Sequence, residues 1–192
     1  MEELRSDPTM ARLVDEHGPL ELERAEDEFA RLIVAIINQQ MSTASAAAIR
    51  ERVFERFEIT PEGILAAETT ALREAGLSRQ KVEYVRNVAT AFRERDLTAD
   101  GLASHTDEEV IEELTQIRGV GPWTANMYLL FVLGRQDVLP LGDLAVRRGI
   151  ETLYNDGMEL TRAEMREIAE VWRPYRSLAT LYIWAEYEAP TS

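Results

Sequence analysis

At 192 residues, 45% of them apolar and 29% charged, the chain has the size and balance of one globular domain, or of two small lobes sharing a core. It holds no cysteine, which excludes disulfides, thiolate metal sites and cysteine-ligated iron–sulfur clusters. A net charge of −14 argues, taken as a sum, against nucleic acid as a partner.

The chain begins MEELRSDPTM, acidic and without an apolar stretch, so no signal peptide is expected there. No apolar run approaches the ~20 residues of a membrane-spanning helix. Asp7 followed by Pro8 has the form of a helix cap with proline in the first turn, and Gly18-Pro19 stops that helix. The stretch EDEFARLIVAIINQQ opens on acids and is apolar at Phe29, Leu32, Ile33, Ile36 and Ile37, which predicts a buried helix. After a break near Gln40-Met41, STASAAAIRERVFERF predicts a second, amphipathic helix. Thr60-Pro61 opens a short helix, Thr69 to Ala75 forms another that Gly76 ends, and Ser78 caps RQKVEYVRNVATAFRER. Thr106 with Glu109, and Thr161 with Glu164, are capping boxes. Strand signals are nearly absent, and residues 137–143, DVLPLGD, read as an extended loop punctuated by Pro140 and Gly142. The expected fold is all-α: about ten helices in two lobes with a central cleft, forming a single domain over residues 1–192.

The charge is unevenly spread. Residues 1–30 hold ten acids against three arginines, whereas residues 31–56 and 115–150 each hold four arginines against two acids. Such basic islands can meet a phosphate backbone even within an acidic chain. His17 and His105, far apart and with acidic neighbours, read as surface histidines rather than metal ligands. Of the 21 basic residues only Lys81 is a lysine. Arginine almost alone, with acids in excess, suits a protein working in a salt-rich cytoplasm, where screening shortens to ~3 Å at 1 M.

One segment, QIRGVGPWTANM at 116–127, sets two glycines and a proline before an otherwise apolar helix. Glycine permits close backbone approach, and the N–H groups at the start of the new helix, beside the positive end of its dipole, make a phosphate site. With the helix expected to end near Gln116, residues 107–133 read as a helix, a hairpin and a helix. LTQIRGVGPWTAN resembles the hairpin of the helix-hairpin-helix DNA glycosylases. DVLPLGDLAVRRGI resembles the segment that carries their catalytic aspartate, AIINQQMSTASAAAI their DNA-probing segment, and WRPYRSLATLYIW their closing helix. The likeness spans about residues 20–187. It is nearest to the alkylated-base branch, the 3-methyladenine DNA glycosylase II type, in a compact form without the N-terminal β-rich lobe of longer members. Where lyase branches carry a nucleophilic lysine after the hairpin, this chain has Trp123.

The resemblance implies a monofunctional enzyme that flips an alkylated purine from double-stranded DNA, hydrolyses its N-glycosidic bond and leaves an abasic site in base-excision repair. Methylation makes the base cationic and hence a good leaving group, so one carboxylate can suffice where ordinary glycoside hydrolysis uses two. The resemblance makes Asp143 that carboxylate, expected to stabilise the growing positive charge on the sugar and to orient or deprotonate water. Electron-rich rings favour a cationic base. The resemblance puts Trp123 and Trp184 near Asp143, with Tyr182 beside them, and leaves Trp172 and Tyr175 to the core. Gln40 takes the position that fills the gap left in the duplex, with Met41 as the alternative plug. Gly119, Val120, Gly121 and Thr124 of the hairpin, with Arg147 and Arg148, are the expected DNA-backbone contacts. The main-chain carbonyls of Thr115, Ile117 and Val120 are the expected ligands of a Na+ or K+ ion at the hairpin; no other cofactor is expected. A monomer in the cytoplasm, associated with the nucleoid, completes the expectation. Two rivals stand beside it. One is a non-catalytic helix-hairpin-helix DNA-binding module; the other is a glycosylase of the same fold for another base, such as 1-methyladenine or hypoxanthine.

Overall fold

The computed structural model describes residues 3–188. Its described residues form eleven α-helices and two short 3-10 helices, with no strand. The all-α expectation therefore holds, with one α-helix more than the ten or so expected. The chain divides into two compact units: Ala25–Leu133, and a second made of Met1–Arg24 together with Gly134–Ser192.

The unit Ala25–Leu133 contains α2 (Glu28–Asn38), α3 (Thr43–Arg56), α4 (Pro61–Ala66), α5 (Thr69–Glu74), α6 (Arg79–Glu94), α7 (Asp107–Thr115) and α8 (Pro122–Phe131). Helix α2 is its centre. Leu32, Ile33, Ile36 and Ile37 are almost wholly buried, and the helix packs against α6 and α8. Burial of each such side chain contributes about 1.5–3 kcal/mol. Phe29 of α2 meets Phe92 of α6 edge to face, ring centres 5.3 Å apart. The starts of these helices follow from local chemistry. The side chains of Asp27, Ser42, Thr60, Ser78 and Thr106 accept hydrogen bonds from main-chain N–H groups two or three residues into the helix that follows, where no carbonyl of the helix can reach.

The other unit contains α1 (Pro8–His17), α9 (Leu144–Asn155), α10 (Arg162–Ile168), α11 (Arg176–Glu188) and 3-10 turns at Leu4–Ser6 and Ala169–Trp172. Its core gathers Leu13, Val146, Ile150, Trp172, Tyr182 and Ile183. Helices α9 and α11 lie close because Gly149 has no side chain; a Cβ there would fall 2.3 Å from Ile183 Cγ2. Asp7 caps α1 through Thr9 N (2.8 Å) and also accepts from Tyr154 Oη (2.9 Å) and Trp172 Nε1 (3.1 Å). A buried carboxylate is tolerated because donors surround it. No described helix is long and apolar enough to cross a membrane.

Candidate functional site

The residues singled out from the sequence are shared between the two units. In Ala25–Leu133 they lie at the hairpin and at the α2–α3 turn. The hairpin runs from Thr115, the last residue of α7, to Pro122, the first of α8. Its two glycines do different work. Gly119 has φ +108°, and a Cβ on it would lie 2.3 Å from Cγ of the Tyr84 ring on α6; the fold itself demands glycine. Gly121 is extended (φ −97°, ψ 176°), and a Cβ there would meet nothing within 4 Å. Nothing inside the chain requires glycine at 121. As the N-cap of α8 it also brings no side chain to the N–H groups of the first turn.

Val120 and Thr124 correct the expected list of DNA contacts. Val120 is buried, and so is Thr124, whose Oγ1 accepts from Gln39 Nε2 at 2.9 Å. Only their main-chain atoms can serve an outside partner. Among the carbonyls, that of Gly119 accepts from Gln39 Nε2 (2.9 Å), that of Arg118 from Asn87 Nδ2 (3.0 Å) and that of Ile117 from Val120 N (2.9 Å). A carbonyl oxygen has two lone pairs, so Ile117 keeps acceptor capacity. The carbonyls of Thr115, Ile117 and Val120 are main-chain oxygens, the ligand type that hard cations take.

At the α2–α3 turn, Gln40 is exposed with φ +55°, a conformation uncommon outside glycine. Met41 is half-buried. Of the two plug candidates, Gln40 is the one that stands into solvent. Two further residues, neither placed at this turn by the sequence, hold it. Gln39 sends its amide to the hairpin, as above. Lys81 Nζ donates to the carbonyls of Ile37 (2.7 Å) and Gln39 (2.9 Å) at the end of α2, and burial holds its ammonium below the ordinary lysine range.

In the other unit, Asp143 closes the loop after Gly134 and is the N-cap of α9. Its N–H donates to the Pro140 carbonyl (2.8 Å), and its Oδ1 accepts from Val146 N (3.0 Å) and from Trp184 Nε1 (3.2 Å). The cap and the indole together set the orientation of the carboxylate. Trp184, half-buried on α11, lies against it as expected. The loop is tied down from the start of α11. Ser177 Oγ donates to the Arg135 carbonyl (2.5 Å) and accepts from Val138 N (2.9 Å), while Arg176 Nε reaches Asp137 at 2.7 Å. None of these anchors was legible in advance, since they join residues about forty positions apart.

Three expectations change here. Tyr182 is fully buried, with its hydroxyl between the Gly18 carbonyl (3.0 Å) and Leu20 N (3.2 Å), so it is a core residue and not a pocket wall. Arg147 turns its guanidinium back to the Leu141 carbonyl (2.9 Å), bracing the loop. Arg148 pairs with Glu151 at 3.0 Å. Both arginines are engaged within the chain, as are Arg31 over the Phe131 ring, Arg52 on the Ala75 carbonyl and Arg118 with Glu83. Five of the eight arginines of the basic islands thus make contacts within the chain. Trp172 is buried in the core and Tyr175 packs against it, as read from the sequence. Trp123, half-buried in the first turn of α8, belongs to the unit that carries the hairpin. His17 and His105 are half-buried rather than at the surface, and His17 Nε2 lies 3.0 Å from Glu186. An open cavity of about 540 Å³ runs along α9, lined by Arg147, Arg148, Glu151 and Arg162 among others. No aromatic ring lines it, which makes it a poor receptacle for a flat cationic base.

A helix-hairpin-helix, a loop, and a capped aspartate under a tryptophan are now in place. The family model of the HhH-GPD superfamily base excision DNA repair proteins matches residues 33–174. The chain belongs to that superfamily. Within it, the chain is 31% identical to DNA-3-methyladenine glycosylase 1 of Schizosaccharomyces pombe, over 94% of this chain and 84% of the relative. In structure it is similar to a Schizosaccharomyces pombe 3-methyladenine DNA glycosylase in complex with abasic DNA. That likeness has a TM-score of 0.85 and 30% identity, with 96% of this chain and 95% of the other covered. A DNA-3-methyladenine glycosidase from Bacillus halodurans aligns with a TM-score of 0.82 and 32% identity, over 97% and 88% of the two chains. The superfamily match encloses Gln40, the hairpin and Asp143, and stops short of Trp184.

Proposed function

We propose that this protein is a monofunctional DNA glycosylase that hydrolyses the N-glycosidic bond of alkylated purines of the 3-methyladenine and 7-methylguanine type and leaves an abasic site. The observation that carries the reading is Asp143, a carboxylate fixed by a helix N-terminus and an indole N–H in a chain whose relatives are named for this reaction. The alkylated base already bears positive charge, so departure needs no proton from the protein. As the bond stretches, charge develops on the sugar, and a carboxylate that is already oriented stabilises it without reorganising. The same group orients the attacking water and takes its proton. Trp184 presents a ring to the cationic base while holding Asp143; Trp123 is the second ring that the family likeness offers.

Duplex DNA would be gripped mainly through main-chain atoms. Gly121 leaves its face of the hairpin without a side chain, and the first turn of α8 directs N–H groups at a phosphate. The carbonyls of Thr115, Ile117 and Val120 would hold Na+ or K+, which supplies a positive charge shared with that phosphate. Gln40 would fill the gap left by the extruded nucleotide. Trp123 stands where lyase relatives carry their nucleophilic lysine, and the one lysine of the chain is engaged at the end of α2, which supports hydrolysis without strand cleavage.

The test is release of methylated bases from alkylated duplex DNA, with undamaged and deaminated duplexes alongside and borohydride present in a parallel reaction. Release from alkylated DNA alone, with no trapped protein–DNA adduct, is expected. Binding without release would favour a DNA-binding module, release of hypoxanthine alone a different base specificity, and a trapped adduct a lyase.

A further inference from the structure

The α2–α3 turn and the hairpin are eighty residues apart in sequence, and the structure joins them through two side chains that the mechanism above does not use. Lys81, in the first turn of α6, places its ammonium between the carbonyls of Ile37 (2.7 Å) and Gln39 (2.9 Å). A compact cation with three donors can converge on two carbonyls at a helix end, and it also meets the negative end of the α2 dipole. The peptide so fixed is that of Gln39, whose side-chain amide reaches across to the Gly119 carbonyl and Thr124 Oγ1, both at 2.9 Å. Helix α6 holds the hairpin as well, through Tyr84 against Gly119 and Asn87 on the Arg118 carbonyl (3.0 Å). The next residue after Gln39 is the exposed Gln40 in its left-handed conformation.

We propose that Lys81 and Gln39 form a strut that fixes the plug residue Gln40 relative to the hairpin, making both of them positioning residues for nucleotide extrusion. This rests on the reading of Gln40 as the plug. A plug pushes a base out only if its own backbone does not yield. The left-handed turn at Gln40 is a conformation of higher energy that persists where its surroundings hold it. Lys81 locks the turn to α6, and Gln39 locks it to the element that holds the DNA backbone. Neither side chain need touch DNA to act.

The experiment uses the full chain, a duplex with one 7-methylguanine, and a second duplex carrying 2-aminopurine beside the target, whose fluorescence reports unstacking without any bond being broken. The variants are Gln40→Ala, Gln39→Leu, Lys81→Met and the double Gln39→Leu/Gln40→Ala, each checked by its melting temperature. Gln39→Leu keeps the bulk of the side chain and removes the donors, so it carries the test if Lys81→Met fails to fold. Expected are roughly tenfold losses in single-turnover base release and in the 2-aminopurine signal for each single variant, with dissociation constants for duplex DNA changed less than threefold. The double variant is expected to be no worse than Gln40→Ala alone, because Gln39 acts through Gln40. Multiplying losses in the double variant, or wild-type unstacking in both Gln39→Leu and Lys81→Met while Gln40→Ala is impaired, would overturn the strut. If Gln40→Ala itself unstacks DNA normally, the plug reading fails and the strut with it. If the wild type unstacks DNA but releases no base, the glycosylase reading fails while the strut is still decided by fluorescence.

Discussion

The hairpin unit and the Asp143 unit hold their functional atoms in different ways. At the hairpin, the side chains of Gln39, just past α2, and Asn87 of α6 reach main-chain carbonyls, while Gly121 has no neighbour for a Cβ and Val120 and Thr124 are buried. At Asp143 the functional atom is a side chain, and it is held by the N-terminus of its own helix and by one indole. The first region offers fixed dipoles in a fixed shape, suited to a repetitive partner such as a phosphate backbone. The second offers one charge in one orientation, suited to a single reacting bond. On the proposed function, binding and bond cleavage are expected to fail separately when they are damaged.

The largest stability effect lies in the hairpin. Gly119→Ala forces a left-handed backbone on alanine and drives its Cβ into Tyr84, so unfolding in urea should show a loss of about 3 kcal/mol or more. Gly121→Ala, with open space around it, should cost within about 0.5 kcal/mol in the same assay and yet weaken duplex binding. Equal stability losses for the two would erase the distinction between them. Next comes salt. Arg31, Arg52, Arg118, Arg147 and Arg148, five of the eight arginines in the two basic islands, are engaged internally, which leaves fewer of them to neutralise phosphates. Between 50 and 200 mM potassium chloride, duplex affinity should fall less than about 10²-fold, against roughly 10³–10⁵ for six to ten phosphate contacts. A steeper fall would mean that these pairs open on binding. Trp184→Phe keeps a ring and removes the N–H from Asp143 Oδ1. Base release should slow about tenfold, in line with the ~1.5–3 kcal/mol of a hydrogen bond to a charged group, with duplex affinity unchanged; an unchanged rate would show that the indole bond does not orient the carboxylate.

The smallest effect lies on α11, two residues past Trp184. Glu186 is held below the ordinary carboxylate value of 4.5 first by its hydrogen bond to His17 and then by Arg12. A carboxylate with a lowered folded value adds stability above its unfolded value, and loses it as pH falls through the folded one. Glu186→Gln should therefore melt slightly lower than wild type at pH 6–7, by the equivalent of about 1 kcal/mol or less, and the gap should close below about pH 4.5. A gap that widens in acid would reverse the sign of this contact.

What could be read from the sequence divides along a physical line. Caps such as Asp7, Ser78 and Thr106 bond to N–H groups within about three residues, so the letters alone carry them. The hairpin, likewise, is a local arrangement of Gly119, Gly121 and Pro122. Asp143 and Trp184, distant in sequence, came together only through a family likeness, and they do lie within hydrogen-bond reach. The strut from Lys81 through Gln39 to Gly119 had no local signature, because tertiary packing brings a side chain to a carbonyl eighty residues away. Tyr182 misled for a related reason. An aromatic residue two positions from Trp184 on a helix points to a different face, and that face is the core.

The central claim is that Asp143 breaks the bond and the hairpin does not need it to hold DNA. It is tested most directly by Asp143→Asn, with single-turnover base release and duplex affinity measured on the same 7-methylguanine substrate. Asparagine can still accept from Val146 N, so α9 keeps its cap. A fall in the rate constant of at least about 10²–10³-fold, the scale of a lost electrostatic stabiliser in a reaction centre, with affinity within a few-fold of wild type, is the predicted result. Base release within a few-fold of wild type, or a variant that releases little only because it no longer binds, would contradict it.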